Sequence, residues 1–105
     1  MSILLGNGDG TFATAVKYGV GPAPHTVSVG DFNGDGNQDL VTANVSGDNV
    51  SILLGDGNGS FAAPTVVQSS GEPAHVAVAD FDSDGNQDLA TANWQSRDVK
   101  ILIGD

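Results

Sequence analysis

Two nine-residue segments of this chain carry oxygen-bearing side chains at alternate positions. Asp31, Asn33, Asp35 and Asp39 stand at positions 1, 3, 5 and 9 of the first, and Asp80, Asp82, Asp84 and Asp88 at the same positions of the second. Position 6 is glycine in both (Gly36, Gly85) and position 7 is asparagine (Asn37, Asn86). A hard cation asks for this pattern. Side-chain oxygens at positions 1, 3 and 5 converge, a main-chain carbonyl joins from position 7, a carboxylate closes the site, and glycine permits the sharp turn between them. Six or seven oxygens at about 2.3–2.6 Å suit Ca2+, whose coordination is flexible, better than Mg2+, which prefers a tight octahedron with several waters. The expected ligands are Asp31, Asn33, Asp35, Asn37 and Asp39 for one Ca2+, and Asp80, Asp82, Asp84, Asn86 and Asp88 for a second, two ions per chain. The first site should be the weaker, because an amide replaces a carboxylate at Asn33.

The spacing resembles the start of an EF-hand loop and then departs from it. Position 12 is Thr42 or Thr91 instead of Glu, and the ninth-position Asp leads directly into an apolar, strand-like run. Other candidate chemistry is thinner. Asp9 and Asp56 sit in Gly-rich turns and read as turn residues before metal ligands. The run Gly6-Asn7-Gly8-Asp9-Gly10 lacks the Lys and the helix of a phosphate loop. His25 and His75 are not equivalent, lying six and five residues before the loop Asp, so alternation puts them on opposite strand faces. No Ser-His-Asp set and no free carboxylate pair can be assembled, because most acids are committed to the loops, and no catalytic residue is expected. Trp94 could stack on a sugar ring or pack on a neighbouring sheet. Asn44, Asn49 and Asn58 begin glycosylation sequons, which matter only on a eukaryotic secretory route.

Charge narrows the partners. Thirteen acids face three Lys and Arg residues, for a net charge of −10, and seven of the acids lie in the two segments. Nucleic acid and anionic membrane are poor partners for a chain with no basic stripe. Two divalent ions would bring −10 to −6. No apolar run is long enough for a membrane-spanning helix, and Met1-Ser2-Ile3-Leu4-Leu5-Gly6 lacks the basic region of a signal peptide. There is no cysteine, so disulfides and thiolate metal sites are excluded.

The elements that must position the loops are repeated with them. Ser2–Asn49 aligns with Ser51–Asp98 at a spacing of 49 residues without a gap, and nearly half the positions are identical. Lys100-Ile101-Leu102-Ile103-Gly104 begins a third copy of Ser2-Ile3-Leu4-Leu5-Gly6. Each repeat reads as four short strands. Thr26–Gly30 or His75–Ala79 precedes the acidic loop, and Leu40–Asn44 or Leu89–Asn93 follows it. Val50–Leu54 or Val99–Ile103 comes next, then a tight turn (Asn7–Gly10, Asp56–Gly59) and a last strand from Phe12 to Val20 or Phe61 to Ser69. No segment holds a helical period. Ile3-Leu4-Leu5 and Ile52-Leu53-Leu54 are unbroken apolar runs, as a strand covered on both faces requires.

A four-stranded unit of this length is the size of a propeller blade. The chain resembles the FG-GAP/VCBS repeat family, whose best-known relatives are the integrin α-subunit propellers. The residues that carry the resemblance are Gly30–Leu40 and Leu4–Phe12, and it extends over essentially the whole chain. It implies an all-β propeller of four-stranded antiparallel blades with structural calcium loops between the first two strands of a blade, held by the ten residues named above. Residues 1–20 then form a half blade, 24–69 a complete blade and 75–104 an incomplete blade finished by a neighbouring chain. Two blades do not close a ring, so head-to-tail association into a homo-oligomer of three or four chains is expected. Ile3–Leu5 and Ile101–Ile103 compete for one slot in it. The function expected is a non-enzymatic, calcium-stabilised scaffold or binding module with a protein or glycan ligand, outside the cell or on its surface, where calcium is plentiful. The alternatives are a lectin-like propeller and a fragment of a larger secreted enzyme or adhesin.

Overall fold

The computed structural model describes residues 1–105, and every one of its regular elements but one short 3-10 turn is a β-strand. The strands are β1 (Ser2–Ile3), β2 (Val16–Lys17), β3 (Pro24–Gly30), β4 (Asp39–Asn44), β5 (Asn49–Leu53), β6 (Thr65–Gln68), β7 (Pro73–Ala79), β8 (Asp88–Asn93) and β9 (Asp98–Leu102). They form three antiparallel sheets, a two-stranded β1-β2, a four-stranded β3-β4-β5-β6 and a three-stranded β7-β8-β9. The chain is thus all-β, as its composition of short alternating runs and Asn-Gly turns requires.

The repeat is visible in the hydrogen-bond register. Val27 pairs with Thr42 and Val29 with Leu40; at a spacing of 49, Val76 pairs with Thr91 and Val78 with Leu89. Ser2 pairs with Lys17 and Ile3 with Val16, just as Ser51 pairs with Val66 and Ile52 with Thr65. The two-stranded sheet is therefore the counterpart of β5-β6. Both first strands carry an irregularity at the same place, between Pro24 and Thr26 and between Pro73 and His75.

The core lies between the second and third sheets. Val41, Ala43 and Val50 of one face Val76 and Leu89 of the other, all of them buried, with Ile52, Val67, Val78 and Leu102 packed around them. Burying side chains of this size contributes about 1.5–3 kcal/mol each. Two polar contacts stitch the innermost strands together. Ser28 Oγ donates to the Val76 carbonyl at 2.7 Å, and His25 Nδ1 lies 3.0 Å from the Ala74 carbonyl oxygen. Residues 1–20 lie against part of the opposite face of the four-stranded sheet and leave Val27 and Val29 exposed. The Tyr18 and Phe61 rings meet edge-on at 5.6 Å, and the Phe61 N–H donates to the Tyr18 hydroxyl.

Several strand expectations change in detail. The last strand of each repeat is shorter than its apolar residues suggest. Phe12 and Phe61 make single bridges to Gly6 and Gly55, and the regular ladder resumes only at Val16 and Thr65. Pro64 has no N–H to give to a ladder, which accounts for the gap in the second copy. The runs Ile3–Leu5 and Ile52–Leu54 differ in surroundings. Leu53 is fully buried, whereas its counterpart Leu4 is exposed. A 3-10 turn at Val45–Gly47 follows β4, closed by Asp48 in the left-handed region, and Arg97 takes that conformation at the equivalent point.

Candidate metal centre

Residues 31–38 join β3 to β4, and residues 80–87 join β7 to β8. Each segment coils because its side-chain oxygens accept hydrogen bonds from its own backbone. Asp31 Oδ1 accepts from the N–H groups of Gly34 and Asp35 at 2.8 and 3.2 Å, and Oδ2 from Gly36 at 2.9 Å. Asp80 does the same with Ser83, Asp84 and Gly85 at 2.7, 3.2 and 2.9 Å. At position 3, Asn33 and Asp82 accept from the N–H groups of Asp35 and Asp84, both at 3.1 Å. At position 5, Asp35 and Asp84 accept from Asn37 and Asn86, both at 2.8 Å. Asp and Asn favour such local turns.

The ninth-position aspartates do more than close a loop. Asp39 and Asp88 are wholly buried, and each carboxylate joins two distant backbone groups. Asp39 Oδ2 accepts from Phe32 N–H and Oδ1 from Gly55 N–H, both at 2.8 Å. Asp88 accepts from Phe81 and Gly104 in the same way, at 2.7 Å each. The start of each acidic segment is thereby tied to the end of the third strand of its own sheet. Sequence reasoning missed this tether; the glycine recurring after each Ile-Leu run (Gly55, Gly104) was the visible signal. It also missed the second left-handed residue of each loop. Besides Gly36 and Gly85, position 4 has positive φ, as Gly34 in one copy and, less comfortably, Ser83 in the other.

The two copies present different charge. In the second, carboxylate oxygens of Asp80, Asp82 and Asp88 all lie within 4.8 Å of one another, a group able to hold a metal ion. Asp84 stands outside this trio, its Oδ1 on the Asn86 N–H and its Oδ2 accepting from the Asn86 amide. In the first copy Asn33 brings an amide in place of the third carboxylate, and its Nδ2 donates to Asp35 Oδ2 at 3.0 Å. The carboxyl acidities follow. Loss of water around Asp82, with the negative charges of Asp84 and Asp88, pushes it above the usual carboxylate range against a hydrogen bond from Asp84 N–H. Asp84 is held low by the Asn86 N–H and side chain, and Asp35 by the Asn37 N–H and the Asn33 amide. A cation among Asp80, Asp82 and Asp88 would relieve their repulsion, and these oxygens fit Ca2+ in type.

The two loops share one rim, flanking a polar cleft of about 420 Å³ lined by Asp31, Gly34 and Gln38 on one side and Asn86 and Gln87 on the other. The remaining candidates take structural places. Asp9 accepts from the N–H and hydroxyl of Thr11, and Asp56 from the N–H groups of Asn58 and Ser60, so both brace their hairpin turns. His25 and His75 are exposed and lie apart from the loops' oxygen sets. Asn44 and Asn49 are buried and bonded to one another, leaving Asn58 as the one exposed sequon asparagine. Trp94 is 71% exposed.

No helix of the protein is long and apolar enough to cross a membrane. Comparison with curated proteins and with solved structures found no match. The family profile of the FG-GAP-like repeat matches residues 1–42 and 31–91.

Proposed function

The chain belongs to the FG-GAP-like repeat family, and on that premise we propose that it is a calcium-braced module of β-propeller type, a scaffold or binding unit and not an enzyme. The observation that carries the reading is the trio Asp80, Asp82 and Asp88, set on a backbone coil already organised by its own hydrogen bonds. Each repeat holds one Ca2+. Positions 1, 3, 5 and 9 contribute side-chain oxygens and position 7 a carbonyl: Asp31, Asn33, Asp35, Asn37 and Asp39 in the first, Asp80, Asp82, Asp84, Asn86 and Asp88 in the second. To reach the ion, Asp35 and Asp84 turn from the Asn37 and Asn86 groups to which they are bonded. The ion joins the loop to the buried aspartate, which is already tied to the third strand, so it braces one rim of the sheet.

Sites of this charge and exposure fit a compartment where calcium is plentiful, which supports a location outside the cell or on its surface. Isothermal titration with Ca2+ tests the reading. Two ions per chain are expected, the second loop binding more tightly than the first. Absence of heat at millimolar calcium, with the chain folded, removes it. A lectin-like role rests on Trp94, whose exposed indole could stack on a sugar; a glycan array without hits would dispose of it.

A further inference from the structure

An apolar pocket of about 160 Å³ opens between the four-stranded and three-stranded sheets, lined by Ile52, Val67, Leu89, Leu102, Ile103 and Gly104. At a spacing of 49 these residues correspond to Ile3, Tyr18, Leu40, Leu53, Leu54 and Gly55. That second set has an occupant. Phe61 bridges to Gly55, its ring close enough to obstruct a side chain there, and it packs edge-on against Tyr18. Counted by the same spacing, the residue equivalent to Phe61 is Phe12. Phe12 is 63% exposed, lying beside Gly6 with no aromatic partner. The chain therefore holds an unfilled seat and an exposed ring of the type that fills its twin.

The backbone around the seat matches. β9 is bonded to β8 over Asp98–Leu102, and no strand within residues 1–105 pairs with its other edge. The strand that would lie there by equivalence with β6 is β2, in the register Ile101 with Val16 and Gly104 with Phe12. β2 is held in its own chain by a two-residue ladder to β1, whereas β9 is held by five pairs to β8. The sheet faces repeat the message. Val76 is 1% exposed because the preceding sheet covers it, and its counterpart Val27 is 54% exposed. On the far side, Ala77 and Ala92, counterparts of Ser28 and Ala43, are exposed.

We infer that, in the polypeptide of residues 1–105, the open edge of β9 and this pocket receive residues 11–18 of a second copy, with Phe12 seated over Gly104, β1 displaced by β9, and Val27 and Val29 of the second copy covered by Ala77 and Ala92 of the first. The contact is head-to-tail, so each copy offers one strand and one seat, and it propagates until a ring closes. It names the partner of the propeller-type reading and rests on its repeat geometry; Phe32 and Gln87 of the acidic loops line the rim of the seat, but none of the ten proposed ligands does. Lys17 would lie opposite Lys100, a like-charge pair that weakens the contact.

Sedimentation at saturating calcium tests this with two single-surface variants, Phe12→Asp (strand spoiled) and Ile103→Asp (seat spoiled). The unmodified chain should sediment as three or four copies and each variant as a monomer. Mixed, the variants should give a 1:1 heterodimer that grows no further, because one intact seat meets one intact strand; this also shows that both fold. Lys17→Glu should lower the concentration for assembly at least several-fold, although it makes an acidic chain more acidic. A monomeric unmodified chain, a mass unchanged by Phe12→Asp, or a mixture that stays monomeric overturns the inference. Calcium titration of the same samples is read separately, so loss of assembly and loss of metal binding are told apart.

Discussion

At the scale of single residues, the difference between Asn33 and Asp82 governs the two loops. Asp82 stands with two other carboxylates and is pushed above its ordinary range, mainly by loss of water and then by Asp84 and Asp88. A carboxyl whose folded pKa exceeds its unfolded one favours the fold below the unfolded value, around pH 4, and that contribution is lost as pH rises through the folded value. Without metal, then, Asp82 weakens the fold at neutral pH. Calcium at the proposed site would reverse the balance, and protons would compete with it. Asp82→Asn should stabilise the metal-free chain at pH 7, weaken calcium binding at the second loop by roughly tenfold, and make that loop resemble the first. It should also flatten the loss of second-loop affinity as pH falls from neutral toward the unfolded value of about 4. Titrations at these pH values check it, and unchanged affinity in the variant would remove Asp82 from the ligand set. Asp35 and Asp84 have lowered values, so their contribution is present above pH 4 and lost only as pH falls through the lower folded value.

At the scale of elements, Asp39 and Asp88 are the joints. Each buried carboxylate satisfies two backbone N–H groups, one at the loop start and one after the third strand. Hydrogen bonds to a charged acceptor contribute about 1.5–3 kcal/mol each, and their loss leaves buried donors unpaired. Asp39→Ala should destabilise the chain by roughly 3 kcal/mol or more even with chelator present, whereas Asp31→Ala should act chiefly through calcium. Urea unfolding of both variants without calcium separates the roles, and equal effects would deny the joint. This is also where the sequence was least legible. The 49-residue spacing, the Asn-Gly and Asp-Gly turns and the apolar runs identify most strands, because period and turn chemistry are local. The tether from Asp39 to Gly55 is a long-range contact that no local pattern encodes. Likewise, buried Asn44 sits between Asn49 and Ser51, with Gly21 so close that any side chain there would collide with it. Asn44 reads in sequence as a strand-end residue or a sequon. Asp35 and Asp84 were legible as oxygens at ligand spacing; their turn toward Asn37 and Asn86 was not.

At the scale of the molecule, one complete four-stranded sheet lies between a two-stranded and a three-stranded one, and a net charge of −10 is spread over 105 residues. Its closest acidic groups sit on one rim, where the metal-free chain repels itself. On the proposed reading calcium would bind the folded loops and find no such site in the unfolded chain, so it should stabilise the whole fold by about 2.7 kcal/mol per site at a hundredfold excess over Kd. For a domain of this size that corresponds to a rise in melting temperature on the order of 10 °C or more. The measurement is thermal unfolding at one protein concentration, in millimolar calcium and in chelator. The loaded chain is predicted to melt higher by at least that amount, and identical melting temperatures would contradict the calcium brace.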